Sequence, residues 1–279
     1  MIWLVGNKGM LGSDLEFLLK EEEVDFVGTD LDVDITDPKA VSRFLDNNRS
    51  VTSIVNCAAY TDVEKAEDEK EKAFKINAEG PAVLSRHAEE RDIFFVHVST
   101  DYVFPGTGDK PWDTTDRPCP LNAYGETKLQ GERYIQASGC RFAIVRTQWM
   151  YGKNGRNFVN TIVEKLREGR GLKVIDDQYG AVTWSKDLAG ILLSLVVKEI
   201  EGIYHAVNTG YTTWFKVAVF IKEVIGSKTP VSPCKSEDYA SKAERPKNSR
   251  MSVRSLTQAG LHMRNWKEAL QEYLKGAGL

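Results

Sequence analysis

Seven residues near the start, GNKGMLG (6–12), limit the architecture more than any other stretch of the chain. They set Gly6, Gly9 and Gly12 at three-residue spacing between an apolar run, IWLV (2–5), and a segment with apolar residues at helical spacing, MLGSDLEFLLKEEE (10–23). A strand, a glycine turn and a helix in that order open a β-α-β unit. Such a turn is where a dinucleotide pyrophosphate meets backbone N–H groups and the positive end of a helix. Glycine suits it because a Cβ would block the approach. The spacing differs from the G-x-G-x-x-G fingerprint, so context carries the reading: strand before, helix after, and Asp30 at the end of a second strand, VDFVGTD (24–30). That position is near the roughly 20-residue offset of a ribose-binding acid.

The alternation continues. A helix over 37–48 has Asp37 as N-cap and Pro38 at its first position, SIVNCAA (53–59) reads as a strand, and 71–91 as one long helix. IFFVHVST (93–100) is a buried strand, 123–138 a helix and RFAIVRTQWMYG (141–152) another strand. Repeated β-α units predict an α/β, Rossmann-like, doubly wound parallel sheet with right-handed crossovers. After Gly152 the rhythm loosens, with a helix near 157–169, a strand LKVID, a helix over 184–199 and a polar loop over 236–250. We place a nucleotide-binding lobe over 1–150 and a smaller, mainly substrate-binding lobe over 151–279, with the helix near 184–198 packing back on the first lobe.

A chain of 279 residues can bury a core of that size, and 42% hydrophobic with 28% charged residues is ordinary for a globular protein. The net charge of -3 and scattered lysines and arginines offer no basic face to nucleic acid. No apolar run approaches the roughly 20 residues of a membrane span, and the first residues lack the pattern of a signal peptide. Four dispersed cysteines and four dispersed histidines form no metal motif. The expectation is a cytoplasmic protein with free thiols, no metal and a small-molecule substrate. The mixed-sign run EKAEDEKEKAFK (64–75) reads as a solvated helix face.

Tyr124 and Lys128 stand four apart in NAYGETKLQGE and so share a helix face. That helix follows a strand ending in STDYVF, which puts Ser99, Thr100 and Asp101 at the carboxyl edge where open α/β sheets bind ligands. A tyrosine useful near neutral pH needs its pKa lowered by about three units, or roughly 4 kcal/mol. An ammonium about 4 Å away supplies on the order of 4 kcal/mol at an effective dielectric near 20. The pair therefore suits carbonyl reduction, with a hydride from a nicotinamide to carbon and a proton from Tyr124 to oxygen. Asp30 would bind the adenosine ribose and repel a 2′-phosphate, favouring NADH over NADPH. His97 reads as a satisfied core histidine and Cys57 as a small packing residue, while Trp149, ending a buried strand, is open between core and site.

The glycine loop, NCAAYTDVEKAE, STDYVFPG and YGETK resemble the extended short-chain dehydrogenase/reductase family, whose signature is Thr or Ser with Tyr-x-x-x-Lys. RTQWMYG, DDQYGAVT and RPKNSR carry the resemblance to its nucleotide-sugar 4-ketoreductases. The resemblance implies NADH- or NADPH-dependent reduction of the 4-keto group of dTDP-4-dehydro-L-rhamnose. It implies Tyr124 as proton donor, Lys128 on the nicotinamide ribose and Thr100 on the substrate oxygen. Asp101, Tyr102 and Trp149 would lie by the sugar and Arg250 by the nucleotide. Met10 and Leu11 would meet the pyrophosphate through their backbone, and Ala58, Ala59 and Thr61 would line the cofactor. Lys186 stands where some members place an acidic magnesium ligand between subunits, which disfavours a metal-bridged dimer; monomer and homodimer stay open. Another nucleotide-sugar 4-ketoreductase, an epimerase or dehydratase of the same scaffold, and a non-catalytic regulatory subunit like that of methionine adenosyltransferase are the alternatives.

Overall fold

The computed structural model describes residues 1–276. Its first half is the alternation of strands and helices read from the sequence: β1 (Ile2–Val5), α1 (Met10–Glu21), β2 (Phe26–Thr29), α2 (Pro38–Asn47), β3 (Ser53–Asn56), the short α3 (Val63–Ala66) and α4 (Lys70–Phe74), α5 (Gly80–Glu90), β4 (Phe94–Thr100), α6 (Ala123–Ser138) and β5 (Phe142–Thr147). The second half carries β6 (Met150–Tyr151), α7 (Phe158–Arg167), β7 (Leu172–Ile175), β8 (Tyr179–Gly180), β9 (Thr183–Trp184), α8 (Ser185–Lys198), β10 (Gly202–His205), β11 (Thr212–Thr213), α9 (Trp214–Val224), β12 (Val231–Cys234), α10 (Arg254–Gln258) and α11 (Trp266–Gly276).

Six strands form one parallel sheet in the order β10-β5-β4-β3-β1-β2. The order reverses between β1 and β3, so this is a Rossmann-like doubly wound sheet whose carboxyl edge holds Val5, Thr29, Asn56, Thr100, Thr147 and His205. Alternation along the strands sorts the cores. Leu4, Val55, Phe94, Val96 and Val145 pack with Leu11, Leu15 and Leu19 of α1 and Leu188, Leu192 and Leu195 of α8. Their neighbours Trp3, Val5, Ile54, Phe95 and Ile144 face α2, α5 and α6 on the other side. A separate core joins α7, α9 and α11 around Trp184 and Trp266. The chain beyond residue 150 thus contributes both a lobe of its own and two elements, α8 and β10, of the central sheet layer. Among the described residues no helix is long and apolar enough to cross a membrane.

Two expected elements are broken. The strand expected over 141–152 stops at Thr147, and Trp149 turns the chain with φ +45° so that β6 pairs with β9 instead of continuing in the central sheet. The helix expected over 71–91 is interrupted by a π-helical turn, Lys75–Glu79. Pro81 has no N–H for the Asn77 carbonyl, and its ring crowds that carbonyl, which one extra residue in the turn relieves.

Candidate active site

The glycine turn is built for close approach. Gly6 has φ +77° and donates its N–H to Thr29 O at 2.7 Å, and a Cβ there would stand 2.7 Å from Ala58 N. A Cβ on Gly12 would stand 2.0 Å from Gly6 O, so turn and helix can touch only because both positions are bare. Gly9 is the N-cap of α1 and has no side chain to occupy the amides of Met10 and Leu11, which leaves the helix N-terminus open to an anion. Asp30 follows β2 directly. Its backbone N–H is taken by Asp32 Oδ1 at 2.6 Å, while Asp34 is held low in pKa by its bonds to Thr36. Across the turn, Ala58, Ala59 and Thr61 leave the end of β3; Asn56 Oδ1 accepts from Ala58 N–H at 3.0 Å, and Asn77 grips Tyr60 by both backbone groups at 2.8 and 3.1 Å. These residues fit an elongated diphosphate-linked dinucleotide: a cradle that a Cβ would fill, an uncapped helix start and an acid at the far strand.

The second half of the site lies where β4 ends. Thr100 caps a 3-10 turn, Asp101–Val103, its Oγ1 accepting from Tyr102 N–H at 3.2 Å and donating to Asp101 Oδ1 at 3.1 Å. Helix α6 starts at Asn122, whose Oδ1 accepts from Gly125 N–H at 2.8 Å. Gly125 lets the helix lie against this turn: a Cβ would stand 2.2 Å from Tyr102 O. The result brings Thr100, Asp101, Tyr102 and Tyr124 together, with the Tyr102 and Tyr124 rings edge to face at 5.7 Å. Lys128, one turn further and fully buried, donates from Nζ to Val98 O at 2.6 Å and lies 3.1 Å from His97 Nε2.

The electrostatics depart from the expected simple pair. Burial pushes the Tyr124 phenol up to about 12, with the Asp101 charge adding to the rise and the Thr100 hydroxyl opposing it. Lys128 directs Nζ at the Val98 carbonyl and His97. Burial instead pulls Lys128 itself down to about 8, against the opposing pull of Glu132 and Cys57. Asp101, buried, is pushed up to about 7, with Ser249 and Thr100 holding it back. A water-poor cleft therefore outweighs the single Coulomb interaction.

A family model described as the RmlD substrate binding domain matches residues 1–278. The chain belongs to the RmlD family. A dTDP-4-dehydrorhamnose reductase of Mycolicibacterium smegmatis is 42% identical over 245 residues, 86% of this chain and 74% of that protein. Among solved structures, a dTDP-4-dehydrorhamnose reductase ortholog from Clostridium acetobutylicum superposes with a TM-score of 0.96 at 37% identity, covering 100% of this chain and 99% of that one. The dTDP-4-dehydrorhamnose reductase of Bacillus anthracis in complex with NADP gives 0.95 at 34% identity, covering 99% and 98%.

In this RmlD-family chain the remaining expected site residues are Trp149, where β5 gives way to the second lobe, and Arg250. Trp149 is half-buried and stacks on Trp214 at 3.8 Å, and a Cβ on Gly180 would stand 2.9 Å from its ring. The register Thr100↔Thr147 ends β4 and β5 side by side, two residues before Trp149. Arg250 lies over Tyr179 at 5.0 Å and donates from Nε to Asn248 Oδ1 at 2.8 Å. Among the described residues no group of three or more His, Cys, Asp or Glu could hold a metal. Residues that the sequence reading passed over support the site from behind. Glu132, buried, accepts from Arg146 at 3.0 and 2.7 Å and from Ser99. Asn77 donates to Thr127 Oγ1 at 3.1 Å, tying the π turn to α6. Glu132 was detectable as the third member of the Tyr124, Lys128 series at four-residue steps; Asn77 gave no signal.

Proposed function

We propose that the protein is an NAD(P)H-dependent dTDP-4-dehydrorhamnose reductase, converting the 4-keto group of dTDP-4-dehydro-L-rhamnose to the alcohol of dTDP-L-rhamnose. The observation that carries this is the convergence of Thr100, Tyr124 and Lys128 at the carboxyl edge of the sheet, opposite the glycine turn, in a member of this family. When bound, the reduced nicotinamide supplies the hydride. Tyr124 donates its proton to the carbonyl oxygen, and its burial keeps that proton in place until a substrate oxygen accepts it. Thr100, whose hydroxyl opposes the rise of the phenol, orients it. Lys128 meets the nicotinamide ribose and stabilises the phenolate left behind, Gly6, Gly9, Met10, Leu11 and Gly12 hold the pyrophosphate, and Ala58, Ala59 and Thr61 line the cofactor. Asp101, Tyr102 and Trp149 contact the sugar and Arg250 the nucleotide. Asp30 binds the adenosine ribose and favours NADH.

The test is a spectrophotometric assay with the dTDP-4-keto sugar and each reduced nicotinamide. Wild type consumes the cofactor only with the sugar present, and Tyr124→Phe loses about 10² to 10⁴ of kcat while still binding cofactor. No sugar-dependent loss of absorbance in wild type refutes the reading, and a clear preference for NADPH refutes the role of Asp30.

A further inference from the structure

His97 sits between two strands and the helix of the candidate site. On β4, with Asn56 of β3 as its register partner, the buried ring has Nδ1 3.1 Å from Asn56 Nδ2 and Nε2 3.1 Å from Lys128 Nζ. The backbone N–H of Ala58 can only donate, and it donates to Asn56 Oδ1 at 3.0 Å. Asn56 therefore turns its NH₂ to the ring, and Nδ1 is the acceptor. Burial drives the ring's basicity well below its ordinary value, so it is neutral with a single N–H, which with Asn56 in this orientation must be on Nε2 and aimed at Nζ. An N–H in that place is matched by the lone pair of an amine and opposed by an ammonium. The bond from Nζ to Val98 O is open to either form of lysine.

We propose that His97 is a positioning residue that sets the proton occupancy of Lys128: the ring, oriented from the Ala58 N–H through Asn56, donates to Nζ and favours the uncharged amine. To hold a proton, Lys128 must send the ring to its other tautomer, and Asn56 must then turn its NH₂ toward the N–H of Ala58. Burial acts in the same direction as the ring, holding Lys128 down to about 8, while Glu132 from α6 and Cys57 beyond β3 favour the cation. Among the described residues, the titratable groups coupled to Lys128 are Glu132 of α6, Cys57 after β3 and His97 of β4. Ala58 lies against Gly6, so the chain of hydrogen bonds begins beside the glycine turn and ends at Lys128.

The consequence rests on the reductase reading. Tyr124 loses its O–H proton to the substrate oxygen as the hydride reaches carbon, a new O–H and a new C–H form, and the phenolate is stabilised only while Lys128 is charged. His97 thus sets the alkaline pH at which the reaction fails. His97→Phe removes the donor to Nζ, and the alkaline limb of the kcat profile should move up by about one pH unit, a tenfold gain in the proton affinity of Lys128, with KM for the nicotinamide little changed. A ring that accepts from an ammonium predicts the opposite shift, and that result overturns the proposal, as does an unmoved limb. Should the variant not fold, ¹⁵N NMR of histidine-labelled wild type decides, with His97→Gln assigning the signal. The ring proton should be on Nε2 above the titration of Lys128 and pass to Nδ1 as the pH falls through it. A ring that is Nδ1–H throughout overturns the proposal. Wild type that shows the expected tautomers but no turnover refutes the reductase reading and leaves the His97 relay standing.

Discussion

At the scale of single residues, the site is a competition between burial and partners. Asp101 shows it in a form that stability can report. Its carboxyl, ordinarily near 3.8, is pushed up to about 7 by burial, so the folded protein binds this proton more tightly than the unfolded chain does. The contribution is fully present below about pH 4 and is lost as the pH rises through about 7. Asp101→Asn removes the titration, and its Tm should fall less than that of wild type between about pH 5 and pH 8; parallel curves would clear Asp101 of the effect. Thr100, Tyr124 and Lys128 were legible because helical spacing and a strand end are local properties of sequence. His97 read as a satisfied core histidine, and it is hydrogen-bonded on both ring nitrogens; what it is bonded to comes from β3 and α6, and no local pattern carries that.

At the scale of elements, α6 is fixed by two bare positions and one ion pair. A Cβ on Gly131 would stand 2.2 Å from Asn77 O, as one on Gly125 would from Tyr102 O. Gly125→Ala should displace the turn that carries Asp101 and Tyr102, costing about 1 to 3 kcal/mol of stability. A displacement near 1 Å at the site is enough for about 10²-fold in kcat. Urea unfolding and steady-state kinetics on the same preparation separate the two, and full kcat with reduced stability would show that the turn does not move. Directly after Gly131 the helix sends Glu132 to Arg146 in a fully buried pair, which sets position more than it adds stability. The β-α order was legible from periodicity. The breaks were not: the π turn follows from how Pro81 meets a carbonyl four residues back, and the end of β5 from a pairing with β9 that lies more than thirty residues ahead.

At the scale of the whole molecule, the lobes share backbone. β5 ends in the central sheet and β6 begins in the second lobe, with only Gln148 and Trp149 between them. The chain then returns with α8, which covers α1, and β10, which completes the sheet beside β5. The segment before residue 246 also reaches back, with Glu64 held by Ser241, the Lys242 backbone and Arg245. A fragment ending at residue 150 keeps five of the six strands and the cofactor turn but leaves the rim of β5 unpaired and Leu11, Leu15 and Leu19 uncovered. It should lack a cooperative thermal transition and bind an apolar dye, where a sharp two-state melt would show the first lobe to be autonomous. On the ribosome the same arrangement fixes a schedule: the strand that pairs with β5 emerges some two hundred residues after the strand that began the sheet. Until then the nascent chain presents an open β rim, the kind of surface on which neighbouring chains pair wrongly and which holding chaperones cover.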